Sequence, residues 1–424
     1  MKNYEEVLKK VVERIKPSKQ EIKDIDIRVR EFLKNIKKRI KKEKIDAEIF
    51  VGGSFAKKTV IKKEKYDVDI FIRYGKKHFY DDLSILTSRL LKNFKNVSRI
   101  RGSRNYFVIE QTPSFFIETI PVKKIKKPSE AENITDLSYS HVKYINKKIK
   151  SEKILDEIRI AKAFCYATKC YGAESYVRGF SGYGLELLIY YYKSFLSLAK
   201  AVIKSKERII IDIEKEYKNK KQILLDLNSS KLSSPMILVD PTYKQRNVLA
   251  ALSKETFEKF KKECEKFIKN PSLKLFEEKK QDIGKIKENA QKNKENFVCL
   301  ELTTSKQKGD IAGSKLLKFF NHLKKEIKDN FKIKKESFYY GGEKKSKIFL
   351  CVKSRENKIL QGPLIEDKKN TESFKKRHKK TFVKGKRICA QDDFEKDFKK
   401  FIEKWIKKNK EKIKDMSIEE IKKI

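Results

Sequence analysis

Residues 52–69 read Gly-Gly-Ser-Phe-Ala-Lys-Lys-Thr-Val-Ile-Lys-Lys-Glu-Lys-Tyr-Asp-Val-Asp, and this stretch limits the fold more tightly than any other. Ala47 to Val51 before it is a short, mostly apolar run ending at two glycines, which predicts a strand and then a turn. Gly52 and Gly53 carry no Cβ, so their backbone N–H groups can approach phosphate oxygens closely. Ser54 adds a hydroxyl at the same corner. Lys57, Lys58 and Thr59 continue the polar edge and are expected on the first turn of a helix, where the dipole favours anions.

Asp67-Val68-Asp69-Ile70-Phe71-Ile72 is rich in strand formers. Side chains alternate across a strand, so Asp67 and Asp69 share one face while Val68, Ile70 and Ile72 point the other way. Two carboxylates on one face can share a hard cation such as magnesium, which takes one or two carboxylates plus substrate phosphates. A two-metal site can activate an attacking hydroxyl and stabilise a leaving pyrophosphate. Alone, an Asp-x-Asp pair reads as a solvated strand end. Downstream of the Gly-Gly-Ser turn at this distance, the catalytic reading is preferred. The layout resembles the polymerase-beta-like nucleotidyltransferases, in which a neighbouring strand usually supplies a third carboxylate. Phe115 to Pro121 offers Glu118, on a run so apolar that its charge needs a partner, either a metal or one of the lysines. Glu110 is a rival, ranked lower because Gln111, Thr112 and Pro113 after it read as a turn.

Composition narrows the partners. The 424 residues include 105 basic and 59 acidic side chains, a net charge of +46. A small soluble domain carries roughly 2 to 8 net charges. A large anionic partner, nucleic acid first, accounts for the excess, although lysine is abundant along the whole chain. No apolar run reaches the ~18 residues needed to span a membrane, and Met1 to Lys10 has no apolar signal core, so a cytoplasmic protein is expected. The six cysteines form no Cys-x-x-Cys pair and the four histidines no His-Glu-x-x-His motif, which argues against structural zinc and a disulfide framework. The cysteines read as small core residues.

Ser18-Lys19-Gln20-Glu21 is a capping-box pattern, followed by Ile22, Ile25, Val29, Phe32, Ile36 and Ile40 at helical spacing. Strands and helices mix as far as Pro128. Ile154 to about Leu198 reads as strongly apolar helix, with Tyr190, Tyr191 and Tyr192 better explained by burial than by base stacking. More helix follows Arg246, through Phe257, Phe260 and Phe267. Residues 277–296 are Lys-, Glu- and Gln-rich, a linker or a solvated helix. Beyond them Phe297 to Leu302 and Ile348 to Val352 read as strands, and Leu316 to Ile327 as a helix. A final amphipathic helix carries Phe394, Phe398, Phe401, Trp405 and Ile406. The expected class is α+β in three parts: a catalytic head over 1–150, a helical central domain over 151–276, and an α/β C-terminal region over 277–424.

Four further segments make the resemblance narrower. They are Asp136 to His141, Tyr171 to Leu188, Val239 to Ser253, and Asn270-Pro271-Ser272-Leu273. With the head motif they resemble the archaeal-type, class I CCA-adding enzymes, which are tRNA nucleotidyltransferases. The resemblance covers most of residues 1–275. Gly362-Pro363 and Val383 to Arg387 extend it more weakly into the tail.

The resemblance implies template-independent addition of C, C and A to the tRNA 3′ end, from CTP and ATP with Mg2+. Asp67, Asp69 and Glu118 would hold the metals. The nucleotide would lie against Gly53, Ser54, Lys57, Ser138, Lys162 and Tyr171, with His141 beside them, and Arg246 would read the base. The chain departs from the family in carrying Glu118 where aspartate is more usual, Lys57 where arginine is more usual, and a slightly longer loop between Ser54 and Asp67. The residue types suit these roles: lysine and arginine attract a triphosphate, and the planar arginine fork can read a base edge. Each has a plainer reading as well. Tyr171 could be a packed aromatic, Lys57 and Lys162 surface lysines, Arg246 a helix cap and His141 structural. The alternatives to CCA addition are a poly(A) polymerase or oligoadenylate synthase-like enzyme, and a tRNA-binding protein with lapsed catalysis. Oligomeric state stays open, and a homodimer is allowed.

Overall fold

A computed structural model describes residues 3–102, 104–278, 282–355, 358–378, 380–392 and 397–424. It divides into two compact units, Met1–Lys279 and Lys280–Ile424.

The first unit opens with α1 (Tyr4–Ile15) and α2 (Lys19–Lys42). The Ser18 hydroxyl accepts from the Glu21 N–H while the Glu21 carboxylate accepts from the Ser18 N–H, the reciprocal cap expected of this pattern. Ile25, Val29, Phe32, Ile36 and Ile40 are buried in a row, whereas Ile22 is only half-buried. They pack on a mixed five-stranded sheet built from β1 (Ala47–Val51), β2 (Tyr66–Tyr74), β3 (Val97–Ile100), β4 (Tyr106–Thr112) and β5 (Phe115–Lys123). Its strand order is β1-β2-β5-β4-β3, with β2 and β5 parallel at the centre. Two helices lie within this part of the chain, a single turn α3 (Gly53–Ala56) after β1 and α4 (Leu83–Leu91) after β2. Val68, Ile70 and Ile72 enter the core under α2 and α4, which leaves the opposite face of β2 and β5 to the carboxylates.

Next come α5 (Ser138–Lys148), α6 (Glu152–Ala167), α7 (Gly182–Tyr192) and α8 (Phe195–Lys204). The helical pattern from Ile154 to Leu198 is therefore interrupted. Lys169, Gly172 and Arg178 take left-handed backbone conformations that no α-helix tolerates, and Tyr171 and Phe180 form an isolated bridge instead. The tyrosine triplet closes α7, with Tyr191 exposed and its two neighbours half-buried. After α8 the chain forms β6 (Ile209–Ile211), α9 (Lys220–Asp226), β7 (Met236–Asp240), β8 (Tyr243–Asn247) and α10 (Lys254–Lys269), with β6, β7 and β8 in one small sheet. Phe164, Phe180, Phe195, Phe260 and Phe267 form an aromatic centre for this core, and Val11 of α1 joins it.

The second unit contains α11 (Ile283–Lys292), β9 (Asn296–Thr304), α12 (Asp310–Asn330), β10 (Phe331–Tyr340), β11 (Lys345–Ser354), β12 (Lys358–Leu364), α13 (Lys368–Arg377), β13 (Thr381–Lys384), β14 (Arg387–Asp392), α14 (Phe398–Lys408), α15 (Lys410–Asp415) and β15 (Ile418–Lys423). One sheet runs β10-β11-β9-β15 and is packed by α12 and α14; the other runs β12-β14-β13. Phe394 lies outside the described residues, and the helix assigned to this region begins at Phe398. The closing strand β15 escaped the sequence reading because it pairs with β9, more than a hundred residues away. All six cysteines are buried and free. Among the described residues no helix is long and apolar enough to cross a membrane.

Candidate active site

The central parallel pair positions the carboxylates. Asp69 of β2 is in register with Glu118 of β5, so two neighbouring strands present an acid on the same face. Asp67 lies two residues earlier on that face with its side chain about half exposed. Burial and then the Asp67 charge push the Asp69 carboxyl up. Burial, then Asp69 and Asp67, push Glu118 up. Among the described residues no three His, Cys, Asp or Glu side chains are posed to close around one ion. The donors nevertheless fit a hard divalent ion: all are carboxylate oxygens, and two are penalised for their charge where a cation would relieve them. Glu110 is exposed on β4, two residues before the strand ends.

The glycine turn touches this site directly. Gly52 N–H donates to the Asp69 carbonyl at 2.8 Å. Gly53 has φ +58, and a Cβ there would sit 1.6 Å from Asp69 Oδ2. The Asp69 carboxylate is thus laid against the turn in space that only glycine leaves free. Ser54 belongs to α3. The expected helix over Lys57, Lys58 and Thr59 is absent: α3 ends at Ala56, Lys57 caps it, and Lys58 is left-handed at φ +58. Thr59 N–H then returns to the Ser54 carbonyl at 2.9 Å.

This looped path sends Lys57 and Thr59 inward onto Glu186 of α7, where Lys162 of α6 joins them. Lys57 Nζ donates to Oε2 at 2.6 Å, Lys162 Nζ to Oε1 at 2.9 Å, and the Thr59 hydroxyl to Oε1 at 2.8 Å. Lys162 also donates to Thr59 Oγ1 at 2.7 Å. Burial alone would raise Glu186, but Lys162 and Lys57 outweigh it and hold its carboxyl down at about 2. Burial lowers the Lys162 ammonium to about 8 in spite of Glu186. The sequence did carry a signal for Glu186. It is the one charged residue in the run Gly182–Tyr192, and a charge in so apolar a helix needs a buried partner.

A second cluster gathers on Asp240, at the end of β7. Arg246 Nη1 lies 2.5 Å from Oδ2 and His141 Nε2 3.1 Å from it. The Tyr183 hydroxyl donates to Oδ1 at 3.1 Å, as do the Thr242 N–H and hydroxyl at 2.9 and 2.8 Å. Burial lowers His141, whose ring stacks on Tyr183 with centroids 4.0 Å apart. Asp240 itself is held well below the usual carboxylate range, because His141 and Arg246 overcome its burial. Arg246 therefore lies on a strand with a carboxylate partner and caps no helix. Lys57 Nζ is 5.8 Å from the Tyr183 ring centre, which links the two clusters.

A small open cleft brings Ser54, Asp67, Lys162 and Tyr171 together with Thr59, Lys63, Tyr66 and Tyr166. Tyr171 stacks on Tyr166 with centroids 4.0 Å apart. Gly53, Lys57, Asp69, Glu118, Ser138, His141 and Arg246 are not in its lining. Ser138 is half-buried at the start of α5. Lys63 and Tyr166 carried no distinguishing signal, one a lysine among many and the other an aromatic on an apolar helix.

The chain has clear relatives. Residues 29–156 match the profile of a family described as "Nucleotidyltransferase domain", and residues 156–277 match "tRNA nucleotidyltransferase, second domain". The chain is 39% identical over 214 residues to the CCA-adding enzyme of Nanoarchaeum equitans (strain Kin4-M), covering 50% of this chain and 52% of that one. It thus spans about half the length of that relative. It is 27% identical over 399 residues to the CCA-adding enzyme of Methanocaldococcus jannaschii, covering 91% of this chain and 87% of that one. A crystal structure of the Cid1 poly (U) polymerase with Mg and 3′-dATP bound superposes with a TM-score of 0.50 at 14% identity, over 65% of this chain and 98% of that one, a likeness of fold.

Proposed function

This chain belongs to the archaeal-type CCA-adding enzymes, the tRNA nucleotidyltransferases, and we propose that it completes tRNA 3′ ends with C, C and A from CTP and ATP without a nucleic-acid template. The observation that carries this reading is the Asp69–Glu118 pair against the Gly53 turn, in a chain whose residues 156–277 match a tRNA nucleotidyltransferase domain.

In this reading Asp67, Asp69 and Glu118 would hold two Mg2+ ions. Bound there, Mg2+ supplies Lewis-acid stabilisation of the attacking and leaving oxygens. The tRNA 3′ hydroxyl attacks the α-phosphate of the nucleotide and pyrophosphate departs. Ser54 and Tyr171 offer hydroxyl donors to the triphosphate from the cleft wall, and Lys162 offers charge from its floor. Thr59 and Glu186 keep that lysine in place. Arg246 reads the base with Ser138 and His141 nearby, and Asp240 sets the plane of its guanidinium. Catalysis here rests on orientation and on charge already in position. Residues 1–150 act as the catalytic head, and the basic regions 151–276 and 277–424 hold tRNA by its backbone, so binding weakens steeply with salt. A cytoplasmic location follows from the substrate.

Primer extension tests the reading. Transcripts of tRNA ending before the first C, after C and after CC are incubated with Mg2+ and CTP, ATP or both. Growth to CCA followed by a stop is the expected result. Long A tails would instead indicate a poly(A) polymerase, and tight tRNA binding without extension a lapsed enzyme.

A further inference from the structure

We propose that Lys63 is a further nucleotide-binding residue of this site, and that its ammonium serves two partners in turn, the Asp67 carboxylate and the incoming triphosphate. The inference rests on the nucleotidyl-transfer reading above.

Lys63 sits on the loop between the glycine turn and β2. Its Nζ is 3.8 Å from Asp67 Oδ1 and donates to the Tyr166 hydroxyl at 3.0 Å. It also lies over the Tyr166 ring, 4.8 Å from the centroid, and that ring is stacked on Tyr171. An aromatic platform therefore fixes where the ammonium can be, beside Ser54 and Lys162 in the lining of one cleft. Lys62 and Lys65 of the same loop are not in that lining. Lys62 faces Glu21 at 3.8 Å, and Lys65 lies over the Phe116 ring.

The position has two consequences of opposite sign. On Asp67, the ammonium competes with a divalent ion for a carboxylate oxygen. Once that oxygen is taken by metal, the same ammonium is free to meet the phosphates of a bound nucleotide, held within reach by Tyr166. A residue with a purely structural role would weaken both kinds of binding when altered.

Full-length Lys63→Met and Lys63→Arg are compared with the wild type. Mn2+ affinity is measured by calorimetry without nucleotide, and steady-state kinetics are measured with CTP and ATP on tRNA transcripts. For Lys63→Met we expect Mn2+ to bind about 3-fold more tightly, because the competing charge is gone. We expect KM for both nucleotides to rise about 10-fold with kcat within about 2-fold, the pattern of lost ground-state binding. Lys63→Arg, which keeps the charge, should restore KM. An unchanged KM, a weaker Mn2+ affinity, or a kcat loss that arginine does not rescue overturns the assignment. The wild type separates the two readings, since its failure to add CCA would sink the proposed function, whereas wild-type activity with an indifferent Lys63→Met sinks only this one.

Discussion

Lys57, just past the glycine turn, and Glu186, in the middle of α7, meet at 2.6 Å with neither side chain more than a tenth exposed. The contact joins the carboxylate-bearing sheet to the helical core within the first unit, and Lys162 shares it.

Removing Glu186 would leave two ammonium groups buried without their counter-charge. Glu186→Ala should cost about 3–5 kcal/mol of stability, the range for one partner of a buried ion pair. The acid dependence follows the same carboxyl. Its folded value of about 2 lies below the ordinary 4.5, so below 4.5 the unfolded chain takes up a proton that the folded chain refuses. The stabilisation is complete above 4.5 and drains away as the pH falls toward 2. Glu186→Gln has no such proton. Denaturant melts from pH 5 to 2.5 should show a shallower loss in this variant, and equal slopes would remove Glu186 from the account.

Asp69→Ala should lower nucleotide incorporation by at least about a hundredfold, the scale for deleting a preorganised electrostatic partner. Binding of tRNA should change little, because Asp69 lies among other acids and offers nothing to a phosphate backbone. Filter binding and single-nucleotide extension measured on the same preparation separate the two effects. Turnover that persists would dismiss the site assignment.

Gly53→Ala asks for a Cβ where the Asp69 carboxylate lies and for a side chain at φ +58. The backbone alone should cost roughly 1–2 kcal/mol. The larger effect should be on kcat, since Asp69 must be pushed away from its neighbours. A variant that loses stability but retains full kcat would show that the close approach of the turn is incidental.

Arg246→Lys keeps a charge for Asp240 but gives up the planar fork. The melting temperature should move little, whereas UTP and GTP should be incorporated more often relative to CTP and ATP. Competition assays with mixed nucleotides read the ratio. Unaltered selectivity would place base recognition elsewhere.

Much of the architecture was legible in the chain because it depends on local rules. The cap at Ser18 and the buried stripe of α2 follow from helical spacing, and Asp67 and Asp69 share a face because a strand has period two. The apolar run around Glu118 was recognisable as a strand, and its parallel register sets Glu118 beside Asp69 on one face of the sheet. The break between α6 and α7 was hidden, because left-handed residues such as Lys169 and Arg178 carry no compositional mark. The strand that holds Arg246 and the closing strand β15 were missed as well, since each exists through pairing with another strand.

Which residues could bear charge, and on which face of a strand, was settled by residue type and period. Which charge meets which was not. Lys57 reaches Glu186 across 129 positions and His141 reaches Asp240 across 99. A buried ion chooses its partner through the packing that excludes water from both, and that exclusion exists once the segments have come together.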